Sequence, residues 1–417
     1  MIKMNYRKFS GINNIAPQDA LISYETGKGT AELTAYLDEG LNIDLDDNGY
    51  LRRRKGRGSA AYTGTVHSLF SDERICLFRE AALLKRFYPD NTTQTLRTGL
   101  DTSLLPMAYL SLNNKIYYSD MADNGVVEDG ASRTWGLETP LPPFIERVTG
   151  GNLKAGGYLA CLTYSRSDGQ ESGSSDIDYV YAQDNEGFNI ILPVSSDPSV
   201  NAVNIYLTTR DADTFYLAGQ EANGTTEFMY MGDGSDLTLA LRTKGLSPVP
   251  KGHILEFYNG RIYIARDNII HYSEPYAFEL CNLAKNYIPL ESRITMMRRI
   301  NTGMVVSTED KTMLLQGNDV PEFRVIGIFQ YGAIEGSDCR VDGIVIDDSF
   351  IGRSVVWSTN KGICCINEDG SFYKNLTENI YRTPPAYRGA GLYRQENGIS
   401  QYLVVLEGVG DLLNTYQ

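Results

Sequence analysis

Gly260-Arg-Ile-Tyr-Ile-Ala-Arg266, followed closely by Ile269-Ile-His-Tyr-Ser273, decides the fold. The first run opens on the turn pair Asn259-Gly260, and both runs are rich in β-branched and aromatic residues over the length of one strand. A hairpin is the reading, because Asn-Gly tolerates the positive φ that a tight connection demands.

Working outward, the same pattern returns as Asn114-Lys-Ile-Tyr-Tyr-Ser-Asp120, Gly303-Met-Val-Val-Ser-Thr308, Ser354-Val-Val-Trp-Ser-Thr359, Gln401-Tyr-Leu-Val-Val-Leu406 and Thr65-Val-His-Ser-Leu-Phe70. Several of these end in a small polar residue and a loop before a second apolar run, as in Met313-Leu-Leu315 and Gly362-Ile-Cys-Cys-Ile366. With Val66, Ile116, Ile262, Val305, Val355 and Tyr402 as anchors, the intervals are 50, 146, 43, 50 and 47 residues. A unit of roughly 40–50 residues with about four strands is the size of a β-propeller blade. Asp72 to Tyr88 admits either a helix or two strands with a turn at Glu80-Ala81, and strands fit the rest of the chain better.

The long interval is explained by an insertion. Pro140-Leu-Pro-Pro143 and Pro248-Val-Pro250 border a stretch of short alternating runs: Gly157 to Tyr164, Phe188 to Leu192, Val203 to Thr209 and Phe215 to Gly219. Spaced this way, such runs suit a sandwich of about 100 residues, immunoglobulin-like or fibronectin-III-like. The expectation is an all-β chain of β-propeller-like blades with an inserted sandwich. Residues 1–140 hold N-terminal strands and the first blades, 141–247 the insert, and 248–417 the remaining blades.

Composition narrows function. Among 417 residues, 38 basic and 52 acidic side chains leave a net charge of −14, which lacks the basic footprint of a nucleic-acid or anionic-membrane binder. No apolar run is long enough to span a bilayer, and the N-terminus carries no uninterrupted apolar stretch of signal-peptide length, so synthesis in a cytoplasm is expected. Six Cys without CxxC spacing suit reduced thiols, and Cys161 alone in the insert excludes a disulfide within it.

Three strings carry a resemblance. Ser10-Gly-Ile-Asn-Asn14 precedes Leu41-Asn-Ile-Asp-Leu-Asp-Asp-Asn-Gly-Tyr-Leu-Arg-Arg-Arg-Lys-Gly56; the insert holds Thr163-Tyr-Ser-Arg-Ser-Asp-Gly-Gln-Glu-Ser172 and the run Leu192 to Thr208. Together these resemble bacteriophage tail-hub and nozzle proteins of short-tailed phages. The resemblance implies a structural virion subunit, with copies in a ring, usually a hexamer, below the portal and adaptor and near tail fibre or distal tail proteins. Phage DNA would pass through without specific binding, and an acidic wall that repels phosphate suits such passage. Membrane insertion and enzymatic activity are not implied. The chain is short for a complete nozzle.

Other constellations offer less. Asp44-Leu-Asp46-Asp-Asn48-Gly49 matches the start of an EF-hand loop, but the twelfth position is Lys55 where a bidentate Glu belongs, so a hairpin turn is preferred to calcium. Arg52, Arg53, Arg54, Lys55 and Arg57 form the densest basic run; they suit contact with an acidic neighbouring subunit or adaptor, or equally a solvated edge strand that resists aggregation. His67, His253 and His271 are isolated, Cys364 and Cys365 point to opposite strand faces, and no GxSxG elbow occurs. No metal, cofactor or catalytic residue is therefore expected. The rival reading is a glycan-binding or glycan-cleaving propeller. It would draw on Tyr stacking platforms and on paired acids from among Asp267, Glu274, Glu335, Asp338 and Asp347.

Overall fold

A computed structural model describes residues 9–27, 30–40, 43–45, 49–54, 58–103, 105–346, 350, 352–396 and 399–408. Among them the chain is all-β: the helical pieces are single 3-10 turns at Gln18–Ala20, Val320–Glu322 and Gly343–Val345. Two compact units form, Gly64–Pro289 and Met1–Thr63 with Leu290–Gln417.

Five antiparallel four-stranded meanders are the blades of the propeller-like fold. In the first unit, blade 1 pairs His67–Ser71, Cys76–Glu80, Leu83–Phe87 and Thr93–Arg97; blade 2 pairs Ala108–Leu112, Lys115–Ser119, Asn124–Glu128 and Ala131–Arg133. Blade 3 pairs Ile254–Tyr258, Arg261–Arg266, Ile269–Tyr272 and Tyr287–Pro289. The other unit holds blade 4 (Ile294–Ile300, Gly303–Thr308, Thr312–Gln316, Arg324–Phe329) and blade 5 (Cys339–Asp342, Arg353–Thr359, Gly362–Ile366, Tyr373–Asn375). It also holds two-stranded hairpins at Ile22–Gly27/Thr30–Ala35, Ile43–Leu45/Leu51–Arg53 and Arg388–Glu396/Ile399–Glu407.

The anchors explain themselves on the second strands. Ile116, Ile262, Val305 and Val355 all lie there, in runs that are apolar without alternation because a central strand is covered on both faces. Two anchors depart from this rule: Tyr402 lies on Ile399–Glu407, in a two-stranded hairpin outside the four-stranded blades, and Val66 precedes the first strand of blade 1 and is exposed, the matching second-strand run being Cys76–Glu80. A register shift between His67 and Phe70, with Ser68 at φ 55°, breaks the strand pattern that the sequence displays there. Asp72 to Tyr88 folds as two strands, reversing at Ala81 with φ 50°.

The small polar residue at the end of a second strand ties its blade to a later segment of the chain. Ser119 Oγ accepts the Gly252 amide at 2.9 Å, so the chain returning from the insert is tied directly to blade 2. Ser307 Oγ accepts the Ala333 amide at 2.7 Å, and Ser358 Oγ meets the Tyr402 hydroxyl at 2.9 Å. All three serines are buried, where each satisfied hydrogen bond contributes about 1 kcal/mol net. Blade 1 uses a different device: Arg79 Nη1 donates to Asp120 Oδ2 of blade 2 at 2.6 Å, and neither side chain has any exposed surface.

The insert is a sandwich. One sheet runs Phe144–Thr149, Glu186–Ile191, Glu227–Tyr230; the other runs Asp178–Ala182, Gly156–Ser165, Ala202–Thr208, Phe215–Ala222. Leu162, Phe188, Ile190, Val203 and Ile205 fill the space between them, with Tyr158 edge-on to Phe188. Cys161 faces the other way, onto Tyr206 and Phe215, and burial pushes its thiol up to about 12. It packs as a small apolar side chain.

Candidate functional site

Arg52 and Arg53 lie on the strand Leu51–Arg53, opposite Asp44 and Ile43, and both are exposed. Arg54 follows them and donates from Nε to Asp44 Oδ1 at 3.0 Å. Lys55 and Arg57 lie outside the described residues, as do Asp46 to Asn48 of the calcium-like loop and Asp347 of the candidate acids. Gly49 closes the hairpin at φ 77°, and its carbonyl accepts the Phe9 amide at 2.8 Å. A Cβ there would sit 2.6 Å from the Phe9 carbonyl oxygen, so glycine is required on two counts.

The strings behind the phage resemblance prove to bind their own chain. Asn13 Oδ1 accepts the amides of Ile15 and Ala16, capping a turn. Asn14 clamps a distant segment: its side chain donates to the Arg382 carbonyl at 3.0 Å and accepts the Arg382 amide at 2.8 Å. In the sandwich, Asp168-Gly169 turns the chain so that Glu171 and Ser172 fold back on the strand they left. Ser172 Oγ accepts the Tyr164 amide at 2.9 Å, and Glu171 Oε1 accepts from Thr163 Oγ1 at 2.5 Å. The same Glu171 oxygen accepts from Asn204 Nδ2 at 2.9 Å and from the Tyr206 hydroxyl at 2.8 Å. Two strings far apart in sequence therefore meet at one carboxylate oxygen. Sequence spacing had no means of showing this.

The candidate acids are spread over both units, Asp267 and Glu274 in Gly64–Pro289 and Glu335 and Asp338 in the other. Asp267 occupies a turn at φ 51° and is exposed, whereas Glu274 accepts from Asn286 Nδ2 at 2.7 Å. Glu335 pairs with Arg293 at 2.7 Å, and Asp338 pairs with Arg298. Among the described residues no group of three His, Cys, Asp or Glu side chains is placed to hold a metal ion. Burial, aided by the nearby Arg266 charge, holds the His271 imidazole below its ordinary pKa.

A dense polar cluster joins the sandwich to blade 2. Arg133, on the last strand of the blade, donates to Gln170 Oε1 at 2.8 Å and to Asp168 Oδ2 at 3.1 Å. Arg166, almost fully buried, reaches back to the Trp135 carbonyl at 3.4 Å, to Thr134 and to Ser199 Oγ at 2.9 Å. Asp197 closes the set, accepting from Thr134 Oγ1 at 2.9 Å and from Ser199. Burial alone would raise the Asp197 carboxyl, but Ser199, Thr134 and the Arg166 charge together bring it below the usual carboxylate range. Around this joint lie a cleft of about 1040 Å³, lined in part by Arg97, Glu138, Tyr164, Pro193, Lys251 and Arg266, and a smaller pocket. The arginine donors were not singled out in the sequence. Their signal was only the position of Arg133 and Arg166 just before and inside the insert.

No family model matches the chain, and no curated protein does. Among solved structures it is similar to BBS1N crystallised with ARL6DN, at 12% identity and a TM-score of 0.32, over 83% of this chain and 90% of that one. The computationally designed Ika8 protein gives 11% identity and a TM-score of 0.26, over 80% and 92%. The extracellular domain of the putative hybrid two component system BT4673 from B. thetaiotaomicron gives 10% and 0.25, over 84% and 59%.

Proposed function

We propose that the chain is a noncatalytic structural subunit of a bacteriophage tail, assembling with further copies into a ring beneath the portal and adaptor and lining or bracing the passage of the genome. The observation that carries this reading is the edge strand of the sandwich, Asp178–Ala182. Tyr179 and Tyr181 alternate on its outward face, and Ile177 precedes it; all three are exposed, at 61%, 51% and 46%. An unpaired strand edge bearing apolar side chains invites another chain, and natural proteins otherwise blunt such edges with charge.

Further support comes from how firmly that edge is presented. Arg133 and Arg166 fasten the sandwich to blade 2, so a partner gripping the edge strand pulls on a blade and not on a loose tether. The acidic balance of −14 suits a wall along which DNA slides. Quantitative mass spectrometry of gradient-purified particles tests the proposal by comparing copies of this chain with copies of the portal protein. A fixed ratio that survives stringent washing is expected, and the ratio gives the ring symmetry. Absence from the particles overturns the reading.

A further inference from the structure

Between blade 2 and the Asp168-Gly169 turn lies a pocket of about 250 Å³. Most of the charge on its wall is already matched. Lys115 pairs with Glu128 at 3.0 Å, and Arg133 pairs with Glu128 at 3.3 Å and with Asp168 at 3.1 Å. Glu279 is the exception. It lines the same pocket, is half-buried, and makes no ion pair and no hydrogen bond to another side chain among the described residues.

Burial is the main cause that pushes the Glu279 carboxyl above the ordinary glutamate range. A hydrogen bond from the residue's own backbone amide opposes it, as do Arg133 and Lys115 from inside their own pairs, while the Asp168 charge pushes the same way as burial. An ionised carboxylate only accepts hydrogen bonds, so in a partly dry site it is stabilised by a donor that brings positive charge. The rest of the exposed wall is mostly polar, with Gly169 and Gln170 beside the charged groups, while Tyr117, Val126 and Trp135 are buried behind it. Tyr117 and Trp135 pack with ring centroids 5.0 Å apart, and Val126 lies beside them. Trp135 is only 1% exposed, so it offers no open face on which a sugar ring could stack.

We propose that this pocket binds an alkylammonium or guanidinium group, with Glu279 as its counter-ion. The ligand chemistry is shared by free amines and by Lys or Arg side chains of another protein. The site stands on the pocket alone and does not depend on the tail assignment.

The test uses the full chain, titrated by ligand-observed NMR and calorimetry with n-butylammonium, methylguanidinium, and blocked tripeptides centred on Lys or Arg. Saturable binding is expected. It should weaken about tenfold or more in Glu279→Gln, the loss of one charge-assisted contact, and persist in Glu146→Gln on the exposed face of the sandwich. Binding should also fall as acid protonates Glu279 and as salt screens it. Glu279→Asp, which keeps the charge but withdraws it, should bind weakly with unchanged preference for cations, which separates loss of the counter-ion from loss of folding. Tighter peptide than amine binding makes the source a protein side chain; the reverse makes it a small amine. The proposal is overturned if no cation binds, if binding is indifferent to Glu279→Gln, or if a neutral monosaccharide competes as well as the cations do.

Discussion

Two arginine regions of this molecule invert what their sequences advertise. The run beginning at Arg52 is the densest positive charge in the chain, yet Arg52, Arg53 and Arg54 are all exposed, and Arg54 meets Asp44 across a solvated hairpin. Arg79 is the one basic residue of the strand Cys76–Glu80 and is wholly buried against Asp120. It also donates to the carbonyls of Ala81 and Asp101, while Asp120 Oδ1 accepts the amides of Ala122 and Asp123 at 2.7 and 2.6 Å. Charge density marks where solvent does the stabilising. A buried charge inside a strand marks where the fold must do it.

The largest effect that tests this contrast is Arg79→Ala. Removing one partner of a buried pair strands Asp120 without its counter-ion and costs about 3–5 kcal/mol. The expected outcome is a large fall in thermal stability and loss of amide protection in blades 1 and 2, read by hydrogen exchange. Arg79→Met with Asp120→Asn keeps the volume and the two amide contacts without a stranded charge, and should recover much of the loss. If Arg79→Ala behaves like a surface substitution, the ion pair does not hold blade 1 to blade 2.

Next in size is Ser119→Ala. It leaves the Gly252 amide buried without an acceptor, a cost of about 1–3 kcal/mol. Ser307→Ala should cost a similar amount through the Ala333 amide, because the two serines occupy the same place in their blades. Urea titration of the two variants sharpens the comparison: equal losses show that the insert adds no burden to its joint, and a larger loss at Ser119 shows that it does.

These serines also show what could be read in advance. Unbroken apolar runs such as Ile262 to Ala265 and Met304 to Val306 announced strands, and the small polar residue after several of them was visible as a repeat. What that residue does was not visible, since Ser119 finds its partner 133 positions away, beyond the insert. The proline borders pointed to the insert, but its fastening depends on Arg133, Arg166 and Asp197, which only the folded chain brings together. Val66 misled because a strand-like run can be broken by a single residue at positive φ, here Ser68. Strand content is a local property of sequence; the joints and the Glu279 pocket are long-range, and no spacing rule encodes them.

Two carboxyls near the joint should titrate with opposite sign. The Asp197 pKa is lowered on folding, so its stabilisation is present above the unfolded value near 3.8 and is lost as pH falls through the folded value. The Glu279 pKa is raised, so its penalty is absent below the unfolded value near 4.5 and grows as pH rises through the folded value. Asp197→Asn should therefore lower the Tm at neutral pH and match the parent in acid. Glu279→Gln should raise the Tm at neutral pH and match it in acid. Thermal unfolding across pH checks both, and a common sign would show that the joint does not separate the two environments.

The smallest effect returns to the exposed arginines. Arg53→Ala and Arg54→Ala remove charge from solvent, and an exposed pair such as Arg54–Asp44 is worth about 1 kcal/mol or less because water and salt already screen it. Each variant should leave the Tm of the isolated chain nearly unchanged, and the small loss at Arg54 should vanish in high salt. A marked loss of stability in either one would mean that the hairpin carries internal load like Arg79, and the contrast between the two regions would fail. Stability that is unchanged alongside impaired incorporation into particles would give the basic run its purpose: charge kept at the surface, where its partner is another chain.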